Sequence, residues 1–261
     1  MLNDSRKNTA AKIMSKWIVC PYPRSHPKLR LLCFTYAGGA AWTFRDWAAQ
    51  LPNSVEVCAI ELPGRGKRLR ETNIDNLNTL TQALGPEILP YLHIPFACFG
   101  HSLGGLIAFE VCNWLRQQAN LTPDHLWFSA APAPQRAHER VPISDLPDQD
   151  FIHALQRYGG TPDSLLDNTE LMAMALPILR ADFALLETYQ YKSVAPFQCP
   201  ITAFWGVRDK TVDKHQIMDW QSHTNDFSLE AVDGEHFFMR QPAFPKRLLP
   251  QISVSSVYPS T

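Results

Sequence analysis

The sequence predicts an α/β fold: a mostly parallel central sheet flanked by helices and interrupted late in the chain by a helical insertion. Three observations carry that expectation. A strand-like run, Phe96 to Phe99, enters Gly100-His101-Ser102-Leu103-Gly104 and leaves as a proline-free helical run from Leu103 to Gln118, a strand-turn-helix arrangement. Strand-like and helical runs alternate around it, as in a parallel sheet with crossover helices. From about 135 to 196 the alternation stops and helical spacing takes over.

The chain has 261 residues, enough for one large domain with a substantial core. Hydrophobic residues make up 45% and charged residues 19%, and the formal net charge is -1. That balance describes an ordinary globular chain with no global field to draw it to nucleic acid or an anionic membrane. Met1 to Lys16 is polar and mixed in charge, so 1–16 is expected to be a disordered tail and 17–261 one domain. No apolar run is long enough to span a bilayer. The six cysteines form no Cys-x-x-Cys pair. They read as small buried hydrophobes in a reducing cytoplasm, with neither a disulfide frame nor a metal site expected.

Taken in order, Trp17 to Cys20 is the first strand-like run and Leu29 to Tyr36 the second. The second runs into Ala37-Gly38-Gly39, where exposed backbone N–H groups would suit an oxyanion, the N–H of Ala37 or its neighbour being the natural donor. Trp42 to Leu51 reads as a helix closed by Pro52, and Val55 to Leu62 as a strand broken by Pro63-Gly64. Arg65, Lys67, Arg68 and Arg70 follow as a basic cluster. Such a cluster is a solvated loop or, at the carboxyl edge of a parallel strand, a contact for phosphate or an acidic partner. Leu77 to Leu92 has helical spacing, and His125 to Ala130 reads as the strand after the helical run Leu103 to Gln118, which leaves the elbow at Gly100 to Gly104. The insertion reads as a helical lid, with segments around Asp148 to Tyr158, Thr169 to Ala175 and Leu179 to Tyr191. Its Leu and Met residues hold the lid down, and its inner face lines a pocket for an apolar chain. Ile201 to Gly206 and Ser228 to Val232 resume the sheet, and Phe244 to Leu249 closes it as a helical run.

The glycines of the elbow leave room for strand and helix to approach while Ser102 takes a strained backbone conformation. Ser102 is the candidate nucleophile, and the N–H of Leu103 is free at a helix start to donate to an oxyanion. Asp209 follows one of the last strands and His236 the other. Nucleophile, acid and histidine then stand in the chain order of the α/β-hydrolase triad. Asp213 and Asp233 compete with Asp209, but they suit a helix start and a turn. The histidines show no paired spacing of the kind that holds a metal.

Together these motifs resemble the type II thioesterases that accompany polyketide and nonribosomal peptide synthetases, relatives of the thioesterase that releases medium-chain fatty acids. The resemblance rests on Tyr36-Ala37-Gly38-Gly39, Glu61-Leu62-Pro63-Gly64-Arg65, Gly100-His101-Ser102-Leu103-Gly104-Gly105, Gly159-Gly160-Thr161-Pro162, Leu179-Arg180-Ala181-Asp182-Phe183, Gly206-Val207-Arg208-Asp209 and Gly234-Glu235-His236-Phe237-Phe238. It implies an α/β-hydrolase fold, Ser102, Asp209 and His236 as triad, and Ala37 and Leu103 as oxyanion donors. It also implies hydrolysis of stalled or misprimed acyl and peptidyl groups held on the phosphopantetheine arm of a carrier protein. No cofactor of its own is expected, and a monomer needs no further assumption. This chain has Thr35 where the family usually has proline and Gly105 where it usually has alanine. The competing readings are a fatty-acyl thioesterase or general carboxylester hydrolase on the same triad, and a hydrolase-like binding protein without catalysis.

Overall fold

The computed structural model describes residues 15–139, 141–158 and 168–252. Seven strands form one sheet: β1 (Ile18–Val19), β2 (Leu29–Phe34), β3 (Val55–Ile60), β4 (Phe96–His101), β5 (Leu126–Ser129), β6 (Ile201–Gly206) and β7 (Phe227–Val232). Their spatial order is β1-β3-β2-β4-β5-β6-β7. Every neighbouring pair is parallel except β1 with β3.

Alternate residues of the central strands serve opposite faces, which is why these strands read as continuous apolar runs. Leu32, Phe34, Cys58, Phe96, Cys98 and Phe128 join one core, shared with α2 (Leu77–Ile88) and α3 (Leu103–Ala119). Leu31, Cys33, Val57, Ala97, Phe99 and Trp127 join the other, shared with α1 (Arg45–Gln50) and the 3-10 turn Phe244–Gln251. Pro245 and Pro250 lie in that turn, where the sequence predicts a helical run.

Between β5 and β6 the chain leaves the sheet for α4 (Asp148–Tyr158) and α5 (Thr169–Glu187). These two pack on each other through Phe151, Ala154, Leu155, Leu179 and Phe183, and this small core also takes in Ala37. The insertion therefore sits on the loop after β2. The sequence splits α5 at Pro177, whereas the structure runs one helix through it. Pro177 and Ala173, the carbonyl that loses its partner, both lie on the exposed side, so water can satisfy it. Buried Met172 and Leu179 anchor the helix on either side.

Ser15 and Lys16 depart from the expected tail. The Ser15 hydroxyl donates to Glu87 at 2.7 Å and the Lys16 ammonium pairs with Glu71 at 3.0 Å. The remainder of the tail and Gly159-Gly160-Thr161-Pro162 lie outside the described residues. All six cysteines are free thiols. Among the described residues, Cys20, Glu56 and Cys58 bring ligand-type atoms within 4.8 Å of one another, but Glu56 already accepts from the Arg24 N–H and from Arg30. No helix of the described residues is long and apolar enough to cross a membrane.

Candidate active site

The sheet order reverses between β2 and β4, and loops at the carboxyl ends of neighbouring parallel strands converge at such a point. The loop after β2 carries Ala37 and the turn after β4 carries Ser102, so the two candidate oxyanion donors come from adjacent strands. The loops after β6 and β7 bring Asp209 and His236 to the same edge.

Ser102 adopts φ 54 and ψ -117, a left-handed conformation that a non-glycine residue holds only where its surroundings fix it. A Cβ on Gly100 would lie 2.3 Å from the Gly104 carbonyl oxygen, and one on Gly104 would lie 2.2 Å from that of Phe34. Backbone touches backbone on both sides of the serine. The same closeness explains one departure from the family pattern, because a Cβ on Gly105 would come within 2.5 Å of the Ala131 methyl. At the other departure, the buried Thr35 hydroxyl has no hydrogen-bond partner among the described residues.

From Ser102 a hydrogen-bonded relay runs inward. The Ser102 hydroxyl lies 3.1 Å from His236 Nε2, and His236 Nδ1 lies 2.8 Å from Asp209 Oδ2. The carboxylate requires the proton on Nδ1, which leaves Nε2 bare to accept from the serine. Asp209 Oδ1 accepts from the Thr211 N–H at 2.8 Å, the Thr211 hydroxyl at 2.7 Å and the Val212 N–H at 3.2 Å. Thr211 Oγ1 also stands 2.9 Å from His236 Nδ1, so its hydroxyl donates to the aspartate while its oxygen shares the imidazole proton. Burial pushes the Asp209 carboxyl up, but the His236 and Thr211 bonds outweigh it and hold it below the usual aspartate range.

The competing carboxylates are elsewhere employed. Asp213 caps α6 (Lys214–Met218) in a reciprocal box with Gln216, and Asp233 pairs with Arg208. Among the described residues, the N–H groups of Ala37 and Leu103 donate to no other group. Gly39 N–H donates to the Tyr36 carbonyl at 2.9 Å, and Gly38 has φ +77, the signature of a type II turn with Ala37 at its first corner. Aromatic contacts wall the histidine: Phe237 lies 4.9 Å from its ring and His101 5.3 Å. His101 is held well below the usual histidine range by burial first, and then by His236 and Arg240, so it stays neutral beside the relay.

The basic cluster does not act as one. Arg65 and Arg68 are buried, against the expectation of a phosphate or carrier contact. Arg65 forms a bidentate pair with Asp182 of α5, at 2.8 and 2.7 Å. The Arg68 guanidinium lies 3.6 Å over the Trp17 ring and pairs with Glu71 at 2.7 Å. A buried guanidinium survives only when paired in this way. Lys67 and Arg70 remain exposed on the loop. A separate cavity of about 570 Å³ lies between α2, α3 and the segment after α5, lined by residues such as Glu110, Asn113 and Trp114. The relay takes no part in it.

A seven-stranded sheet with this order, an elbow after β4 and a histidine loop after its last strand define an α/β-hydrolase. Within that class the chain belongs to the thioesterase domain family, which matches residues 29–253, and it is accordingly a thioester hydrolase. It is 41% identical over 232 residues to the gramicidin S biosynthesis protein GrsT of Aneurinibacillus migulanus, covering 88% of this chain and 91% of that one. Its fold matches RedJ, a thioesterase of the prodiginine pathway in Streptomyces coelicolor, with a TM-score of 0.80 and 33% identity over 88% of this chain and 94% of that one. It also matches YbtT, a type II thioesterase from a yersiniabactin NRPS/PKS pathway, with a TM-score of 0.79 and 31% identity over 92% and 97% of the two chains.

Proposed function

We propose that this protein is a type II thioesterase that removes acyl or peptidyl groups from the phosphopantetheine arm of carrier proteins, through an acyl-enzyme on Ser102. The relay from Ser102 through His236 to Asp209, with the N–H groups of Ala37 and Leu103 left without an acceptor among the described residues, is the observation that carries the reading. His236 Nε2 takes the serine proton as Oγ bonds to the thioester carbon. The developing oxyanion receives hydrogen bonds from the Ala37 and Leu103 N–H groups, each worth about 3–4 kcal/mol of barrier. Collapse breaks the C–S bond, the thiol leaves with the proton, and water attacks the acyl-serine with His236 again as base. Asp209 holds the tautomer and stabilises the imidazolium.

The phosphopantetheine belongs to the carrier, so the enzyme needs no cofactor of its own in this reading, and it works in the cytoplasm as a monomer. Of the basic cluster, exposed Lys67 and Arg70 are left to meet an acidic carrier at the carboxyl edge of the sheet. The test compares turnover of acyl groups on a carrier protein, on coenzyme A and on a nitrophenyl ester. Carrier preference that Lys67→Glu with Arg70→Glu reduces several-fold, with free thioester turnover unchanged, supports the reading. Equal rates on all three substrates point to a general acyl hydrolase, and no turnover of any points to a binding protein.

A further inference from the structure

Nothing in the relay itself explains what fixes the turn that carries Ala37, the second proposed oxyanion donor. The answer lies in a buried ion pair that joins three separate pieces of chain. Arg65, from the loop after β3, and Asp182, from α5 of the insertion, are 117 residues apart and have side chains 6% and 1% exposed. Both also bind the turn that carries Ala37. Asp182 Oδ2 accepts from the Gly38 N–H at 2.7 Å, and Arg65 donates to the Gly39 carbonyl at 3.0 Å. These bonds fix the Ala37–Gly38 peptide unit through its N–H and the Gly39–Ala40 unit through its carbonyl, at the two ends of the segment that leaves Ala37. The insertion presses on the same turn, since a Cβ on Gly38 would meet Leu179 of α5 at 2.7 Å.

We propose that Arg65 and Asp182 are positioning residues, which set the Ala37 N–H in the oxyanion hole and make that setting conditional on the insertion being docked. Asp182 reaches Gly38 only while α5 lies on the sheet edge, so lifting α5 removes the acceptor for Gly38 and the partner of Arg65 together. The enzyme is then fully competent only with its insertion closed, which confines hydrolysis to moments when the site is covered. This inference rests on the reading of Ser102 as nucleophile.

A buried ion pair can be replaced by apolar residues of similar size without loss of the fold, whereas removing one partner strands a charge. The test variant is therefore the double substitution Arg65→Met with Asp182→Leu, read beside Asp182→Asn and Ser102→Ala. Turnover of a small acyl thioester is followed together with binding of an alkyl boronic acid, whose tetrahedral adduct on serine places an oxygen in the oxyanion hole. The expected result for the folded double variant is a ten- to hundredfold lower kcat with KM within about threefold, and a matching loss of boronic acid affinity. Wild-type kcat and boronic acid affinity would overturn the proposal. So would a kcat that falls only with the folded fraction seen by circular dichroism, because the pair would then be a structural tie. Activity surviving in Ser102→Ala would instead strike the reading of the site and leave it distinguishable from failure of the clamp.

Discussion

At the scale of single residues, chemistry was most legible where a side chain owes its place to its own strand. Ser102, Asp209 and His236 each stand just beyond a strand of a parallel sheet, and position in sequence fixes position at the edge. Thr211 and Asp182 were not legible, because their roles arise from partners 25 and 117 residues away. Arg65 and Arg68 look like neighbours of Lys67 and Arg70 in the sequence, yet they turn inward to Asp182 and Trp17. Proximity along a loop does not say which way a side chain faces. Thr211 also makes a prediction. Thr211→Val removes a donor to Asp209 and an acceptor for the imidazole proton while keeping the volume, so kcat should fall about tenfold with KM unchanged. Steady-state kinetics on a soluble acyl thioester measures this; an unchanged kcat would make the threonine bonds irrelevant to turnover.

At the scale of elements, strands and the elbow helix follow from apolar period and glycine placement, and β2 to β7 appear within two residues of the runs that announce them. The insertion was legible as helical but not in its continuity, since the proline rule that divides α5 holds only where the lost hydrogen bond cannot be hydrated. The packing of α3 yields a second prediction. Alanine at Gly105 would gain about 1 kcal/mol of helix propensity, against about 1–3 kcal/mol for overpacking on Ala131. Gly105→Ala should therefore lower stability in urea unfolding, and the loss should shrink when Ala131→Gly is added. A stabilised single variant would mean that the loop after β5 yields freely.

At the scale of the whole molecule, buried histidines set the acid limit, His101 beside the relay together with His125 and His223. Burial lowers His125 and His223 to about 4, with Asp219 slightly opposing at His223. Above the unfolded value near 6.5 both states are neutral and none of the three affects stability. As pH falls from about 6.5 to 4 the unfolded chain takes up protons that the fold refuses, so His125 and His223 each cost up to about 3 kcal/mol. Urea unfolding at pH 7 and pH 4.5 should show that loss, and His125→Gln should reduce it; an equal loss in the variant would assign it to other groups. The central claim concerns the covalent step. Mixing the enzyme with an acyl-loaded carrier protein, quenching in acid within milliseconds and mapping the adduct by peptide mass spectrometry tests it directly. The account predicts an acyl group on the peptide containing Ser102, absent from Ser102→Ala together with hydrolysis. Undiminished hydrolysis by Ser102→Ala, or an acyl group captured on another residue, would contradict it.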